Sequence, residues 1–553
     1  MTDAQDRRPP QDEARGVFDP EVTSEFAVPD GMAVARPGDE PETTSEFSVP
    51  EGLDVPASAG GEQEGSAFTA PSTYSARNAP PVFTPVGGVP AVSLTKHAPW
   101  QDRMRTMLRM PVAERPAPET AHKTDEAGPA VPRVLDLTLR IGELLLAGGE
   151  GAEDVEAAMF AVCRSYGLDR CEPNVTFTLL SISHQPSLVE DPVTASRTVR
   201  RRGTDYTRLA AVYRLVDDLS DPESHLSLEE AYRRLAEMRR NRHPYPTWVL
   251  TAASGLLAGA ASVLVGGDVI VFVAAAIGAM LGDRLAWWCA GRGLPEFYQF
   301  VVAAMPPAAV GVALTVAHVD VKASAVITGG LFALLPGRAL VAGVQDGLTG
   351  FYITAAARLL EVMYLFVGIV VGVLVMLYLG VQVGAELSPD AALRIAERPG
   401  IQIAASMLLS LTFAILLQQE RSTVFAVTLN GGVAWSVYGA LHFAGNLSPV
   451  ASTAAAAGLV GLFGQLLSRY RFASALPYTT AAIGPLLPGS ATYFGVLSIV
   501  QNEVDQGLAS LTKAAALAMA IAIGVNLGAE LSRLLLRVPG GGGRRAAKRT
   551  RGF

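Results

Sequence analysis

The sequence predicts an all-α polytopic membrane protein of about ten transmembrane helices, arranged as two five-helix inverted repeats. A small α+β cytoplasmic domain and a disordered N-terminal tail precede them. Three observations predict this. Long apolar runs fill the chain after residue 246, whereas the first 130 residues are polar and rich in proline. Arginines between the runs collect on one side of the bilayer. A Leu-Leu-Pro-Gly motif recurs at the fourth element of each set of spans, at Leu334–Gly337 and Leu486–Gly489.

Composition sets the class. Half of the 553 residues are apolar and only 17% are charged, where a soluble chain carries about a quarter. Residues 1–67 hold sixteen Asp and Glu against four Arg, a net of −12 within a chain total of −8. An acidic tail therefore precedes a mildly basic body. Three cysteines, Cys163, Cys171 and Cys289, have neither zinc nor CxxC spacing, so no metal and no cofactor is expected. No signal peptide is read at the start, which places the N-terminal region in the cytoplasm. No P-loop motif is present, so a primary pump is not expected unless a separate subunit powers it, and no feature points to nucleic acid.

Residues 1–130 carry 18 of the 36 prolines and few aliphatic clusters to offset ordering entropy. Within them Thr23–Val34 (TSEFAVPDGMAV) recurs as Thr44–Val55 (TSEFSVPEGLDV). This is either a local duplication or a paired docking peptide for a protein partner, in which two copies raise effective concentration.

Residues 131–246 read as the α+β domain. Val134–Ala147 has helical apolar spacing and stops at Gly148-Gly149. Ala152–Tyr166 is a second amphipathic helix with acidic residues in its first turn, where the helix dipole favours them. Asn174–Ser183 reads as one strand, Ser196–Arg202 as a second, and Thr207–Leu219 and Ser227–Asn241 as helices, the last opened by a Ser227-x-x-Glu230 capping box. His184, His225 and His243 read as solvated loop or helix-end residues, and no nucleophile–base pair is evident, so no enzyme is expected.

The predicted spans are 247–265, 268–286, 298–318, 321–336 and 355–380, then 401–418, 424–443, 449–467, 474–500 and 508–536. Residues 381–400 form an extracytoplasmic loop between the two sets, and 537–553 a basic tail. With the N-terminus inside, the cytoplasmic side collects twelve arginines, from Arg233 to Arg471, and five more basic residues in the tail. The other side holds Lys322, Arg394, Arg398 and Lys513. Both termini are thus expected in the cytoplasm.

Five is odd, so the second set enters from the opposite side, an architecture common among secondary transporters. The Pro-Gly pairs, Pro336-Gly337 toward the cytoplasm and Pro488-Gly489 toward the outside, free backbone groups that lipid cannot satisfy and so mark a protein-lined or wet path. Ionisable and amide side chains at membrane depth are the other candidates for substrate binding or coupling: Asp346, Arg358, Glu361, Asn430, Asn502, Asn526 and Glu530. Arg358 and Glu361 are three apart and share a helix face, so they can pair with each other. Asp283-Arg284 reads as an interfacial pair, and the small-xxx-small pairs Gly255/Gly259, Gly278/Gly282, Gly368/Gly372 and Gly524/Gly528 as close helix packing.

Arg140–Leu168 (RIGELLLAGGEGAEDVEAAMFAVCRSYGL), NVTFTLLSIS after it, Leu334–Glu361 and Ile483–Ile499 (IGPLLPGSATYFGVLSI) resemble the threonine/serine exporter family of bacterial membrane proteins. The similarity spans roughly 131–535 and excludes the tail. It implies a multi-pass protein of the bacterial inner membrane that exports threonine and serine, driven by the membrane gradient; alternating access by rocking of the two repeats is the mechanism expected of it. Its partners would be an amino-acid substrate and the bilayer. Export of another small carboxylate, or a membrane-anchored hydrolase-like or sensor protein, are the alternatives.

Overall fold

The computed structural model describes residues 100–108 and 131–535, apart from 188, 201–202, 204, 222–223, 225, 241–243, 320, 386–397 and 472. The tail repeat, the basic C-terminal tail, His225 and His243 lie outside the described residues.

A short helix, α1 (Trp100–Leu108), falls inside the stretch expected to be disordered. Trp100 is 1% exposed and its ring lies 5.6 Å from that of Tyr213, while Arg105 pairs with Asp154. Buried Trp100 and Met104, with Arg105 against Asp154 and Glu153, order a polar segment that composition alone reads as loose. The module behind it runs α2 (Val131–Ala147), α3 (Ala152–Ser165), three strands, α4 (Tyr206–Ser220) and α5 (Leu228–Arg240). Its core is the apolar stripe of α2, with Leu135, Leu137, Ile141 and Leu145, against Val155, Met159 and Phe160 of α3. The Ser227 hydroxyl accepts the Glu230 N–H at 3.3 Å, as the capping box requires.

The stretch read as one strand is a hairpin. β1 (Cys171–Thr176), β2 (Leu179–His184) and β3 (Val193–Thr198) form an antiparallel sheet in that order, with Cys171 opposite His184 and Leu179 opposite Thr198. The turn falls at Phe177, whose φ of 42° is left-handed at a bulky residue, so no glycine or asparagine advertises it. His184 is not on the surface. It is 5% exposed, with Nδ1 3.5 Å from Cys171 Sγ.

The membrane body begins at α6 (Thr247–Leu264), followed by α7 (Val269–Gly291), α8 (Glu296–Val316), α9 (Ala323–Leu331), α10 (Gly337–Thr349) and α11 (Tyr352–Gln382). Then come α12 (Pro399–Leu416), α13 (Arg421–Gly439), α14 (Pro449–Arg471), α15 (Leu476–Thr480), α16 (Gly489–Val500) and α17 (Val504–Leu535). Among the described residues eight helices are long and apolar enough to cross a membrane, and α9 with α10 makes a ninth bent by 56°. The ninth expected span, 474–500, is split into α15, of five residues, and α16, of twelve. Neither covers the roughly 20 residues a bilayer core needs. Pro485 and Pro488, which lack N–H donors, break the stretch.

Packing follows chain order within each group, α6 on α7, α7 on α8 and α8 on α11, then α12 on α13, α13 on α14 and α14 on α17. Between the groups α6 packs on α12, α10 on α17 and α16 on α11. All eight glycines of the small-xxx-small pairs face a close neighbour, such as Pro307 against Gly278 and Gly458 against Gly528. Asp283 does not pair with Arg284 as expected. It accepts the Thr251 hydroxyl at 2.6 Å, tying α7 to α6.

Candidate functional site

The two Leu-Leu-Pro-Gly motifs adopt one backbone shape. Each follows a single 3-10 turn, Phe332–Leu334 or Gly484–Leu486. Leu335 is then extended at φ −64°, ψ 124° and Leu487 at φ −61°, ψ 138°. Pro336 at φ −79°, ψ 47° and Pro488 at φ −82°, ψ 49° turn the chain into α10 and α16. Sequence reasoning put these breaks at opposite faces of the membrane, and here the structure differs. A Cβ on Gly337 would stand 2.8 Å from Leu487, and one on Gly489 would stand 3.5 Å from Leu335. The breaks touch each other. Glycine permits that approach, and larger residues would hold the two turns apart.

Below the first break a buried cluster joins the module to the membrane body. Asp346 on α10 is fully buried. Its Oδ1 accepts the Ala152 N–H at 2.8 Å and its Oδ2 lies 3.1 Å from Arg358 Nε on α11. Ala152 opens α3, so Asp346 acts as that helix's capping acceptor from another part of the chain. Arg358 also donates to the Glu150 carbonyl at 2.6 Å. Arg358 thus pairs with Asp346, a partner on another helix that the local spacing with Glu361 did not point to. Both charges meet in a dry site, where each needs a partner at hydrogen-bond distance. Around the cluster Arg338 donates to the carbonyls of Gly148 and Gly203 at 3.2 and 3.1 Å. The Thr354 hydroxyl accepts the Phe177 N–H at 3.2 Å.

The residue that sequence reasoning missed is Glu150. It sits between Gly149, whose φ is +91°, and Gly151, in the loop read only as a helix stop. It is 5% exposed, and the Ser474 hydroxyl lies 3.1 and 2.9 Å from its two carboxyl oxygens. Burial pushes its pKa up, against lowering by the Ser474 and Tyr213 hydroxyls and the more distant charges of Arg105 and Arg358. Tyr213 is pushed well up by burial and by Glu150 itself. The one available signal was the acid itself, flanked by three glycines immediately before an amphipathic helix. Such glycines let a backbone enter a narrow place.

Two cavities adjoin this cluster. The first, of 90 Å³, is lined by Glu150, Ser474, Gln465, Arg469, Asn526 and Glu530. The second, of 420 Å³, is lined by Pro336, Arg338, Glu361, Asp283, Glu296 and Gln299. The other predicted residues divide accordingly. Asn526 and Glu530 reach the first cavity, while Glu361 and Pro336 reach the second. Asn430 is buried and donates to the carbonyls of Val460 and Tyr478 at 3.3 and 3.5 Å, joining α13 to α14 and α15. Asn502 is brought to neither. It is an exposed residue with φ 64° in the turn between α16 and α17, a conformation asparagine tolerates well.

A family profile described as "Putative threonine/serine exporter" matches residues 136–380, and a second, "Threonine/Serine exporter, ThrE", matches 402–529. The "Probable threonine/serine exporter" of Mycobacterium tuberculosis is 35% identical over 72% of this chain and 76% of its own length. The "Threonine/serine exporter" of Corynebacterium glutamicum is 30% identical over 73% of this chain and 84% of its own length. This chain belongs to the threonine/serine exporter family. No solved structure matches it. The two family profiles part where the two groups of helices part, the first taking the module with α6–α11 and the second α12–α17. The protein is a multi-pass membrane protein of this family, and from the Asp346–Arg358–Glu150 cluster the module reaches the second-profile part through the bond of Glu150 to Ser474.

Proposed function

We propose that this protein exports threonine and serine from the cytoplasm, drawing on a transmembrane gradient, by alternating access between two five-helix halves of opposite sense. The single observation that carries the mechanism is the pair of matched breaks, Pro336-Gly337 and Pro488-Gly489, lying against each other. Broken helices at an interface between repeats are where secondary transporters place their substrate path. The crossed packing of α10 on α17 and α16 on α11, with α6 on α12, agrees with a pseudo-two-fold relation. The substrate identity rests on family membership and on what its relatives are named for.

The same reading sets α9–α10 and α15–α16 as the fourth element of each half, giving ten passes with both termini in the cytoplasm. The arginine distribution supports that orientation. Asp346 and Arg358, which face each other and the start of α3, hold the module on the membrane body. The path runs beside the two breaks, toward the cavities that carry Glu361 and Glu530.

Cells carrying and lacking the gene, loaded with a threonine-containing dipeptide, test this. Carriers are expected to release threonine and serine several-fold faster, with the rate falling when the membrane gradient is collapsed. Equal efflux in both strains would remove the substrate assignment.

A further inference from the structure

Glu150 is the one acid of the cluster that lacks a cation. Arg105 is taken by Asp154 and Arg358 by Asp346. Among the described residues, no arginine or lysine nitrogen is paired with the Glu150 carboxyl, which receives only hydroxyl donors. A carboxylate 95% removed from water and unpaired is costly, and the cost is relieved either by a proton or by an incoming cation. Glu150 borders a cavity that supplies the route for one. The 90 Å³ void has room for several waters. Its other walls are Ser474, Gln465 and Asn526, which suit a hydroxyl and a carboxylate, together with the guanidinium of Arg469.

We propose that Glu150, carried on the module rather than on a membrane helix, is the site where the ammonium group of the exported amino acid and a proton compete. The proposal rests on the export reading and gives it a coupling residue. When the ammonium leaves, one proton takes its place on the carboxyl. When the proton leaves, the next substrate can bind. One carboxyl thus exchanges one substrate for one proton, and the fully buried, empty and ionised state is avoided.

Charged and titratable groups approach Glu150 from every side. The module brings Arg105 on α1, Glu153 and Asp154 on α3, and Tyr206 and Tyr213 on α4. The membrane helices bring Asp346 on α10, Arg358 on α11, Arg469 on α14 and Glu530 on α17. Arg105 and Arg358, with the Ser474 and Tyr213 hydroxyls, favour the ionised form. Burial is the largest influence, and it raises the carboxyl above its ordinary value, which favours the proton-loaded state.

The test uses the full-length protein in liposomes and measures labelled-threonine exchange from pH 5 to 8. In the wild type the apparent KM should rise as pH falls, approaching tenfold per unit once the proton wins. Glu150→Gln should raise KM at least tenfold and flatten its pH dependence, while the protein still elutes as a monodisperse peak. Ser474→Ala removes a donor to the ionised carboxyl, so the rise in KM should begin at higher pH. Glu150→Asp should keep the pH dependence but displace it. The Ser474 and Asp variants decide the matter even where the Gln variant fails to fold. Wild-type KM and pH profile in all three overturns the proposal. A wild-type protein with no threonine exchange removes the export reading, and this inference with it.

Discussion

Glu156 on α3 takes the Val175 backbone N–H at 3.1 Å, and burial nevertheless pushes its carboxyl up to about 7 from an ordinary 4.5. The native state therefore holds this proton more tightly than the unfolded chain does. Stability is full below pH 4.5 and falls as pH rises toward 7, by at most about 3 kcal/mol. Glu156→Gln removes the loss. The variant and wild type should melt together at pH 4.5 and the variant several degrees higher at pH 8, as read by thermal unfolding of the solubilised protein. The reverse order at pH 8 would contradict the burial argument. Charge at single residues was only partly legible in the sequence. Asp346 and Arg358 stood out as ionisable groups in an apolar region, but local spacing paired Arg358 with Glu361, because sequence shows neighbours on one helix and not the acid twelve residues back on another. Glu150 was invisible for the same reason. Its partner Ser474 lies in a different part of the chain, and its three glycines read equally well as a helix end.

Helices and their close contacts were far more legible, because apolar length and glycine spacing are local properties. The packing of α14 on α17 depends on them most. A Cβ on Gly528 would collide with the Gly458 carbonyl, and one on Gly461 with the carbonyl of Val525. No rotamer relieves a clash with backbone, so the helices must separate. Gly528→Ala is expected to cost about 1–3 kcal/mol and to lower both yield and melting temperature. Gly291→Ala, whose added Cβ meets nothing within 4 Å, is the control and should leave both unchanged. Equal behaviour of the two variants would show that α14 and α17 are not held by backbone proximity. What the sequence hid at this scale were the breaks. The Pro-Gly motif announced them, but their mutual contact depends on how two separate stretches pack. The β1–β2 turn was hidden too, since Phe177 carries a backbone angle that its side chain does not foretell.

Seen as a whole, the molecule is a module wedged under two groups of helices. It holds the first through Asp346, Arg338 and Thr354. It holds the second through Ser474 and through backbone bonds from Tyr206 and Thr207 to Leu417 and Gln418, both 3.1 Å. The wedge includes α1, so the boundary of the dispensable tail moves. Deleting residues 1–98 should leave threonine efflux and thermal stability near wild type. Deleting 1–109 removes Trp100 and Arg105 from the buried face of the module and should lower the melting temperature by several degrees. Loss of efflux on the shorter deletion would assign the tail a role beyond tethering.

The bond from Ser474 to Glu150 spans 324 residues. At about 5–20 residues per second, synthesis of that stretch takes on the order of half a minute. Through that interval the glycine-flanked acid stands in water with its proper neighbour not yet made, and it can be buried only after the second group of helices has entered the membrane. The closing of this one loop is thus a late step in biogenesis, and it reports that both groups have arrived.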